Sequence, residues 1–228
     1  MNDILRILPE MITGDKLDNR LCILPEYDES IRNKSIPERL IALQDIYRVF
    51  IPNKMSREIY SKLYLSLLRS LQKKQSIIAT RQANENNKMI RQQSYESIIG
   101  GSDSFTIIGP SGIGKSSSIS RAINILTEVP VLNLGNTNVI ACLQVQAPAD
   151  SSVKGLLLEI LRKADEVLNT KYHSNAMKSH ATTDMLIGAV SQVALNHIGL
   201  LVVDEIQNAR TAFGKFLYFL SRKSGICD

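Results

Sequence analysis

The residues Gly109 to Ser116 read GPSGIGKS and match the pattern G-x-x-x-x-G-K-[ST]. Glycines in this pattern let the backbone curl so that successive N–H groups point inward, which suits the oxygens of a phosphate. The Lys115 side chain can reach the β- and γ-phosphates of a nucleotide, and the Ser116 hydroxyl can bind Mg²⁺. The alternative is a glycine-rich surface turn. We favour a nucleotide site formed by Gly109, Pro110, Ser111, Gly112, Ile113, Gly114, Lys115, Ser116 and Ser117.

A pair of carboxylates follows the apolar run LLVV near the other end of the chain. Asp204 ends this run, a position that suits a carboxylate supporting the Mg²⁺ shell. Glu205 comes next and could polarise the water that attacks the γ-phosphate. Either residue taken singly is more typical of a charged strand end. Together with the upstream glycine loop, the pair predicts a metal site at Ser116 and Asp204 and catalytic roles for Lys115 and Glu205.

Other polar residues are weaker candidates. His173 and His180 lie in a polar stretch without cysteines or carboxylates at ligand spacing, which favours exposed histidines over a metal site. His197 precedes an apolar run and suits the C-terminal end of a helix. Gln207 and Asn208 follow the acidic pair, and their position is consistent with sensing a γ-phosphate.

Alternating strand and helix patterns must position these residues. The all-apolar run GLLVV predicts a strand buried on both faces. Strands that alternate with helices favour an α/β fold with a parallel sheet. The predicted elements are a strand over Ser104–Gly109, a helix to Thr127, a strand over Val139–Gln146, helices over Val153–Leu168 and Thr183–His197, and a final strand ending in the acidic pair.

The region before residue 96 has a different pattern of apolar and polar residues. Residues 1–34 show no sustained period and predict an extended arm. Ser35 and Glu38 form a capping box that predicts a helix to about Phe50. A second helix is predicted over Met55–Lys74 because apolar residues recur at helical spacing. The apolar side of the first helix is Leu40, Leu43, Ile46, Tyr47 and Phe50, and that of the second is Ile59, Tyr60, Leu63, Tyr64, Leu67, Leu68 and Leu71.

A polar stretch, RQANENNKMIRQQSYES, reads as a hinge or linker. It predicts two domains: residues 1–95, with the arm, the helical extension and the basic linker, and residues 96–228, with the nucleotide-binding core.

Positive charge is concentrated in one segment. The chain has a formal net charge of +5, and residues 54–91 contribute Lys54, Arg57, Lys62, Arg69, Lys73, Lys74, Arg81, Lys88 and Arg91 against Glu58 and Glu85. The chain from residue 101 onward is nearly neutral. A local basic field attracts polyanions, of which nucleic acid is the commonest. The alternative is a solvated helix surface followed by a basic linker.

Cysteine usage and hydropathy predict a cytoplasmic protein. Cys22, Cys142 and Cys227 are far apart and without CxxC spacing, which favours reduced thiols, with Cys142 as a small buried hydrophobe. No apolar run approaches the roughly 18 residues of a membrane span, and the first residues lack a secretion signal.

The glycine loop and LLVVDEIQN, separated by a long helical stretch, resemble an AAA+ ATPase of the P-loop NTPase class. More narrowly, the chain resembles the TnsC/TniB-type ATPases of DNA transposition over most of residues 25–222. The narrower likeness rests on DEIQN, on VIACLQVQAPADSSVKGLLLEIL, and on the lead YDESIRNKSIPERLIALQDIYRVFIP with SREIYSKLYLSLLRSLQKK.

This resemblance implies ATP and Mg²⁺ as cofactors, with nucleotide on Gly109 to Ser116, metal on Asp204 and water activation by Glu205. It also implies a homo-oligomer that assembles on DNA, with the basic segment 54–91 near DNA or a target-selecting protein. Such an ATPase recruits and stimulates a transposase, and hydrolysis disassembles it.

The chain departs from the family pattern after Glu205. AAA+ cores place a sensor strand, an arginine finger and a helical lid there, and neither Arg210 nor Arg222 lies at the finger position. We therefore expect a C-terminally incomplete copy. Two alternatives stay open: a replication-initiator or helicase-loader ATPase, and a nucleotide-binding interaction module that does not hydrolyse ATP.

Overall fold

A computed structural model describes residues 7–75, 104–134, 137–148 and 152–204. In chain order the elements are α1 (Gly14–Leu21), α2 (Ile36–Leu43), α3 (Lys54–Gln75), α4 (Lys115–Leu126), β1 (Val131–Leu134), β2 (Thr137–Gln146), α5 (Val153–Leu168), α6 (Tyr172–Lys178), α7 (Thr183–His197) and β3 (Ile198–Asp204). Two 3₁₀ helices, Glu29–Asn33 and Gln44–Arg48, flank α2.

The chain divides into two compact units. We call the first the sheet unit, and it consists of Met1–Pro9, Tyr64–Thr106 and Leu126–Asp228. We call the second the loop unit, and it consists of Glu10–Leu63 and Ile107–Ile125. The domain boundary predicted between residues 95 and 96 stays a prediction.

The sheet unit has the predicted α/β architecture. Its described strands lie in the order β1-β2-β3. β2 and β3 are parallel, with Cys142 opposite Leu200 and Gln146 opposite Asp204. β1 pairs antiparallel with β2, so the sheet is mixed. The sequence did not predict β1, because four residues are too few to establish an alternating period.

Helices α5 and α7 have the predicted bounds. The Ser152 hydroxyl accepts a hydrogen bond from Gly155 N at 3.1 Å and begins α5, and Asn169, with φ at +55°, ends it. The apolar sides of both helices pack with β2 in one core. This core includes Ile140, Leu143, Val145, Leu156, Leu157, Ile160, Leu161, Ala164, Leu186, Val190, Val193 and Ile198.

Part of the polar stretch around the histidines is helical. The carboxylate of Asp165 accepts hydrogen bonds from Thr170 Oγ1 at 2.6 Å, Tyr172 N at 2.9 Å and His173 N at 2.8 Å. These bonds satisfy N–H groups at the start of α6, which a helix cannot pair internally. A carboxylate one helix upstream therefore organises a segment whose own sequence has no clear period.

Helix α3 forms as predicted, one residue longer at each end. Its apolar stripe is buried, including Ile59, Leu63, Leu67 and Leu71. The hydroxyl of Tyr60 accepts from Ile12 N at 3.2 Å, in the loop unit. The hydroxyl of Tyr64 donates to Pro9 O at 2.8 Å, in the sheet unit.

The prediction of an extended arm over residues 1–34 is wrong at residues 14–21. Residues 14–21 form α1, with Leu17 and Leu21 buried, because two leucines four residues apart share one helix face. A single such pair is too short a period to recognise in sequence. Asp18 forms a bidentate ion pair with Arg57 at 2.6 and 2.8 Å, which joins α1 to α3 within the loop unit.

The capping box at Ser35 and Glu38 is present, but the predicted helix becomes 3₁₀ after Leu43. Its apolar side is exposed rather than packed at Leu40, Leu43, Ile46 and Tyr47. Periodicity predicts which residues share a face, but it does not say what covers that face.

The predicted strand over Ser104–Gly109 is absent from the described sheet. Its residues have no strand assignment, and Ile108 is 90% exposed. A strand needs backbone partners on a neighbouring strand, and β1, β2 and β3 are the strands of the described sheet. An apolar pair such as Ile107 and Ile108 indicates a tendency to be buried, but not a pairing partner.

β3 is fully buried, as predicted, only at its first two residues. Ile198 and Gly199 are buried, while residues 200–204 are half-buried. Cys142 in β2 is a free thiol, and burial raises its pKa to about 12, so it behaves as the predicted apolar filler.

Within the described residues, no helix combines the length and the hydropathy that crossing a bilayer requires.

Candidate nucleotide-binding site

The loop from Gly109 to Gly114 leads directly into α4. Gly112 and Gly114 have φ values of +83° and +87°, a region that only glycine enters without strain. A Cβ built on either residue meets no atom within 4 Å. The requirement for glycine here is therefore one of backbone conformation and not of space.

Lys115 bends back over this loop. Its Nζ donates hydrogen bonds to Gly109 O at 2.8 Å and to Pro110 O at 2.7 Å. The ammonium group is thus held against the loop backbone, next to the glycines that shape it. Phosphate oxygens are stronger acceptors for an ammonium group than neutral carbonyls, so a bound phosphate would compete for these two bonds.

The first turn of α4 adds donors at the same place. Ser118 N donates to Gly114 O at 2.9 Å as the first bond of the helix. The N–H groups of Lys115, Ser116 and Ser117 therefore have no acceptor inside the helix. Ser116 and Ser117 are exposed. Open N–H groups and the positive end of the helix dipole make this turn suitable for an anion.

Ser118 differs from the two serines before it. It is 1% exposed, and its hydroxyl has no hydrogen-bond partner among the residues that the structure describes. It lies on the inner side of α4, whereas Ser116 and Ser117 are the hydroxyls available to a ligand.

Arg121 anchors α4 within the loop unit. Its Nε donates to Leu21 O and its Nη2 to Arg20 O, both at 2.9 Å. These carbonyls lie at the C-terminal end of α1, where the helix dipole favours a cation. The segment predicted to be an arm therefore supports the helix that follows the glycine loop.

Asp204 is the last residue of β3, in the sheet unit. Its backbone oxygen accepts from Ala147 N at 3.0 Å, which continues the pairing of β2 and β3 to the end of the strand. Its half-buried side chain is at the carboxyl edge of the parallel pair, the edge where α/β sheets bind ligands. Glu205, Gln207, Asn208, Arg210 and Arg222 lie outside the described residues, and their roles stay predictions.

The start of β3 is held by α3. A Cβ added to Gly199 would lie 2.7 Å from Leu67 Cδ1 and 2.8 Å from Ala141 O. Only glycine therefore allows this approach of strand and helix.

Lys74 of α3 contacts the C-terminal end of α7. Its Nζ donates to Ala194 O at 2.8 Å and to Leu195 O at 2.5 Å, at the end of the helix that leads without a loop into β3. Burial lowers the pKa of Lys74 to about 8. Counting charge along the sequence places Lys74 with the basic surface and misses this structural role.

His197 is the last residue of α7, as predicted. Its Nδ1 lies 2.9 Å from Asn138 O. His180 is exposed, and His173 is half-buried. Among the described residues, no three His, Cys, Asp or Glu side chains gather where they could hold a metal ion.

A protein-family model described as an AAA domain matches residues 99–227, more than half of the chain. The chain belongs to the AAA domain family. No match was found among curated proteins. The AAA domain is a P-loop ATPase module, so nucleotide binding, with Mg²⁺ as the usual partner ion, is the family property of this chain.

The residues around the loop of this AAA domain fit that ligand. Phosphate oxygens accept hydrogen bonds, and the loop offers three kinds of donor. These are the backbone N–H groups around the left-handed glycines, the N–H groups of α4 that have no acceptor inside the helix, and the Lys115 ammonium group. Ser116 presents an exposed hydroxyl, an oxygen ligand that Mg²⁺ accepts alongside phosphate oxygens and water. Bound MgATP would supply a phosphoryl group that water can attack.

Proposed function

We propose that this AAA-domain protein is an ATP-dependent regulator of DNA transposition. In this proposal it binds ATP on residues 109–117, assembles as a homo-oligomer on target DNA, and recruits and activates a transposase together with a target-selecting protein. The observation that carries the nucleotide part is the loop geometry, in which two left-handed glycines precede a lysine that bends back over the loop. The transposition part rests on the resemblance of DEIQN and the helical lead.

The proposal assigns roles around the γ-phosphate. Ser116 and Asp204 hold Mg²⁺, and Glu205 orients and polarises the attacking water. Asp204→Asn should weaken the Mg²⁺ dependence of nucleotide binding, while Glu205→Gln should preserve ATP binding and abolish turnover. If ATP binds but no hydrolysis occurs with or without DNA, the chain is an interaction module and not an ATPase.

One face of α3 supports the proposed DNA contact. Lys62, Arg69 and Lys73 are exposed, and they are separated by seven and four residues. At 3.6 residues per turn, these spacings place the three side chains within about 40° of one another. A row of cations along a helix is the electrostatic footprint expected for a contact to a phosphate backbone.

Lys74 does not belong to this row. It is rotated by about a third of a turn from Lys62, and its amine is occupied by the carbonyls of α7. Replacing Lys74 with an acid would bury a carboxylate beside those carbonyls, so the DNA test must leave Lys74 unchanged.

The DNA test is a salt titration of binding to duplex DNA in the presence of ATP. Reversing Lys62, Arg69 and Lys73 to Glu should weaken binding and lower the slope of log K against log [salt] by about 0.9 for each phosphate that the variant no longer neutralises. The matched control reverses the exposed Lys154, Lys171 and Lys178 of the nearly neutral half, with the same change in net charge. Equal effects of the two triple variants would contradict a DNA contact on α3.

The transposition role has its own test. A transposase encoded beside this chain should be retained on DNA by the wild-type protein with ATP and not by Lys115→Ala. Retention of a replicative helicase in place of a transposase would identify a helicase loader and overturn the transposition role.

A further inference from the structure

Helix α4 has a buried side and an open side. Ser118, Ala122 and Ile125 are buried, and their spacings of four and three residues place them on one side of the helix. At about 100° per residue, Ser116 lies about 150° from the middle of this buried side, and it is exposed. The hydroxyl that is available to a ligand therefore lies opposite the side by which α4 is held.

Arg121 lies at the edge of the buried side and joins α4 to α1. Its guanidinium donates to Leu21 O and to Arg20 O, both at 2.9 Å. The last four carbonyls of a helix have no donor inside that helix, so Arg121 pairs two groups that α1 cannot pair itself. A guanidinium presents its donors in a rigid fork. The two bonds therefore fix the direction of the contact as well as its position.

Helix α1 is itself held at two further points. In its middle, the Asp18 carboxylate accepts two hydrogen bonds from Arg57 of α3, at 2.6 and 2.8 Å. Just after its end, Ile23 N donates to Phe50 O at 2.9 Å, and Phe50 N donates to Ile23 O at 3.0 Å. These four residues and Arg121 all belong to the loop unit. Within that unit, α1 is a fixed support for α4.

The support reaches the glycine loop along the axis of α4. Arg121 follows Lys115 by six residues, which is about 9 Å along a helix. Its guanidinium is occupied by the carbonyls of α1, so its influence on a bound phosphate passes through the helix. The open N–H groups of the first turn, Lys115 to Ser117, move with the helix that carries them. A binding site on a helix is precise only when contacts elsewhere lock that helix in place.

We propose that Arg121 and α1 position the first turn of α4 for the phosphates, so that contacts outside the AAA domain set the affinity for ATP. The AAA match covers residues 99–227, and α1 and Arg57 precede it. Arg121 is a positioning residue and not a catalytic one. The inference rests on the nucleotide binding proposed above and adds a segment that controls the strength of that binding.

The first test is equilibrium titration of the full chain with MgATP. Arg121→Met removes both bonds to α1 and should weaken ATP binding about tenfold, the lower end of what residues that orient a binding group contribute. Arg39→Met is the matched control, because Arg39 is an exposed arginine of α2 in the same unit, and it should bind ATP like the wild type. Equal affinity of the two variants would overturn the proposal.

A charge swap at the other end of the support separates positioning from loss of the fold. The side chains of Asp18 and Arg57 are 26% and 49% exposed, so the surface tolerates a change there. Asp18→Arg should weaken ATP binding two- to fivefold, the size that a partly exposed ion pair allows, although added positive charge by itself favours an anion. Combining it with Arg57→Asp should restore the affinity. Unchanged affinity in Asp18→Arg, or no recovery in the double variant, would contradict the inference.

Hydrogen exchange without nucleotide distinguishes failure of this inference from failure of the proposed function. The amides of residues 118–121 should exchange faster in Arg121→Met than in the wild type and Arg39→Met, while those of β2 exchange alike in all three. This result with no ATP binding by the wild type would support the link between Arg121 and α4 and overturn the proposed function. Unchanged exchange in Arg121→Met, with ATP bound as in the wild type, would overturn the inference alone.

Discussion

The three glycines of the loop differ in whether their backbone conformation requires glycine. Gly112 and Gly114 occupy left-handed backbone conformations, whereas Gly109 does not, and a Cβ on Gly109 would make ordinary contacts of 3.5 and 3.8 Å with the side chains of Ile113 and Lys115. The motif presents all three glycines alike. In the structure, the backbone conformation requires glycine at positions 112 and 114 but not at position 109.

Gly114→Ala should therefore be more damaging than Gly109→Ala. A left-handed non-glycine residue costs about 1–2 kcal/mol, which should either lower stability or shift the loop and weaken ATP binding about tenfold. Both variants would be compared by chemical denaturation and by titration with ATP. Equal losses in the two variants would contradict the assignment of the strain to Gly114.

At the level of elements, α3 has two sides with opposite properties. Its basic row faces solvent, and its apolar stripe with Lys74 faces the interior. The helical period shared by Lys74 and the apolar stripe is the signal that excludes Lys74 from the basic surface. A count of charge by segment ignores the face on which each residue lies, and the prediction failed at that step.

The buried amine of Lys74 predicts how stability depends on pH. Burial lowers its pKa from 10.5 to about 8, so between these pH values the unfolded chain binds the proton that the folded chain has lost. Stability contributed by this group therefore rises as pH increases from about 8 to 10.5, by an amount on the order of 3 kcal/mol. Denaturation of the wild type and of Lys74→Met across this range isolates the effect.

Lys73→Met is the control for this prediction, since Lys73 is the exposed neighbour on the same helix. Relative to Lys74→Met, the stability of the wild type and of Lys73→Met should rise by the same amount. This comparison cancels the opposite contribution of Cys142, whose raised pKa lowers stability above about pH 9 in all three proteins. The same pH dependence in all three proteins would assign the titration to another group.

The contact between α3 and β3 depends on Gly199. An added Cβ would lie 2.8 Å from Ala141 O and 3.0 Å from Ile140 O, and backbone atoms of a paired strand cannot move aside easily. We expect Gly199→Ala to lower the free energy of unfolding by about 1–3 kcal/mol. Gly155→Ala in α5, where the nearest contact would be 3.4 Å, should be neutral or slightly stabilising. Thermal denaturation of the two variants measures the difference, and equal melting temperatures would refute it.

Across the molecule, local sequence signals predicted the elements that carry their own caps and periods. Helices α5 and α7 have the predicted bounds, and the α/β class is confirmed by the parallel pairing of β2 and β3 and by the AAA domain match. The predictions failed where a distant partner decides the outcome. The strand expected at residues 104–109 needs a neighbouring strand to pair with. Helix α1 is held by Arg57 and Arg121, and the apolar side of α2 is exposed among the described residues.

In the candidate site, too, the features that a local motif determines were predicted, and those that depend on a distant partner were not. The conformation of the glycine loop and the start of α4 at Lys115 follow from a local motif, and the structure has both. The roles of Asp204 and Glu205 depend on how a strand end is placed against bound phosphate, which periodicity cannot specify. Those roles stay predictions that the Asp204→Asn and Glu205→Gln variants test.

We propose that residues 109–117 bind the phosphates of ATP, and equilibrium titration of the full chain with MgATP is the decisive measurement. Lys115→Met removes the ammonium group but keeps the length of the side chain, and Lys154→Met removes an exposed lysine elsewhere. Loss of a charged hydrogen-bond donor is worth about 1.5–3 kcal/mol, so Lys115→Met should bind ATP about ten- to a hundredfold more weakly than the wild type and Lys154→Met. Equal affinity of all three proteins for MgATP would show that the Lys115 ammonium group does not bind the phosphates.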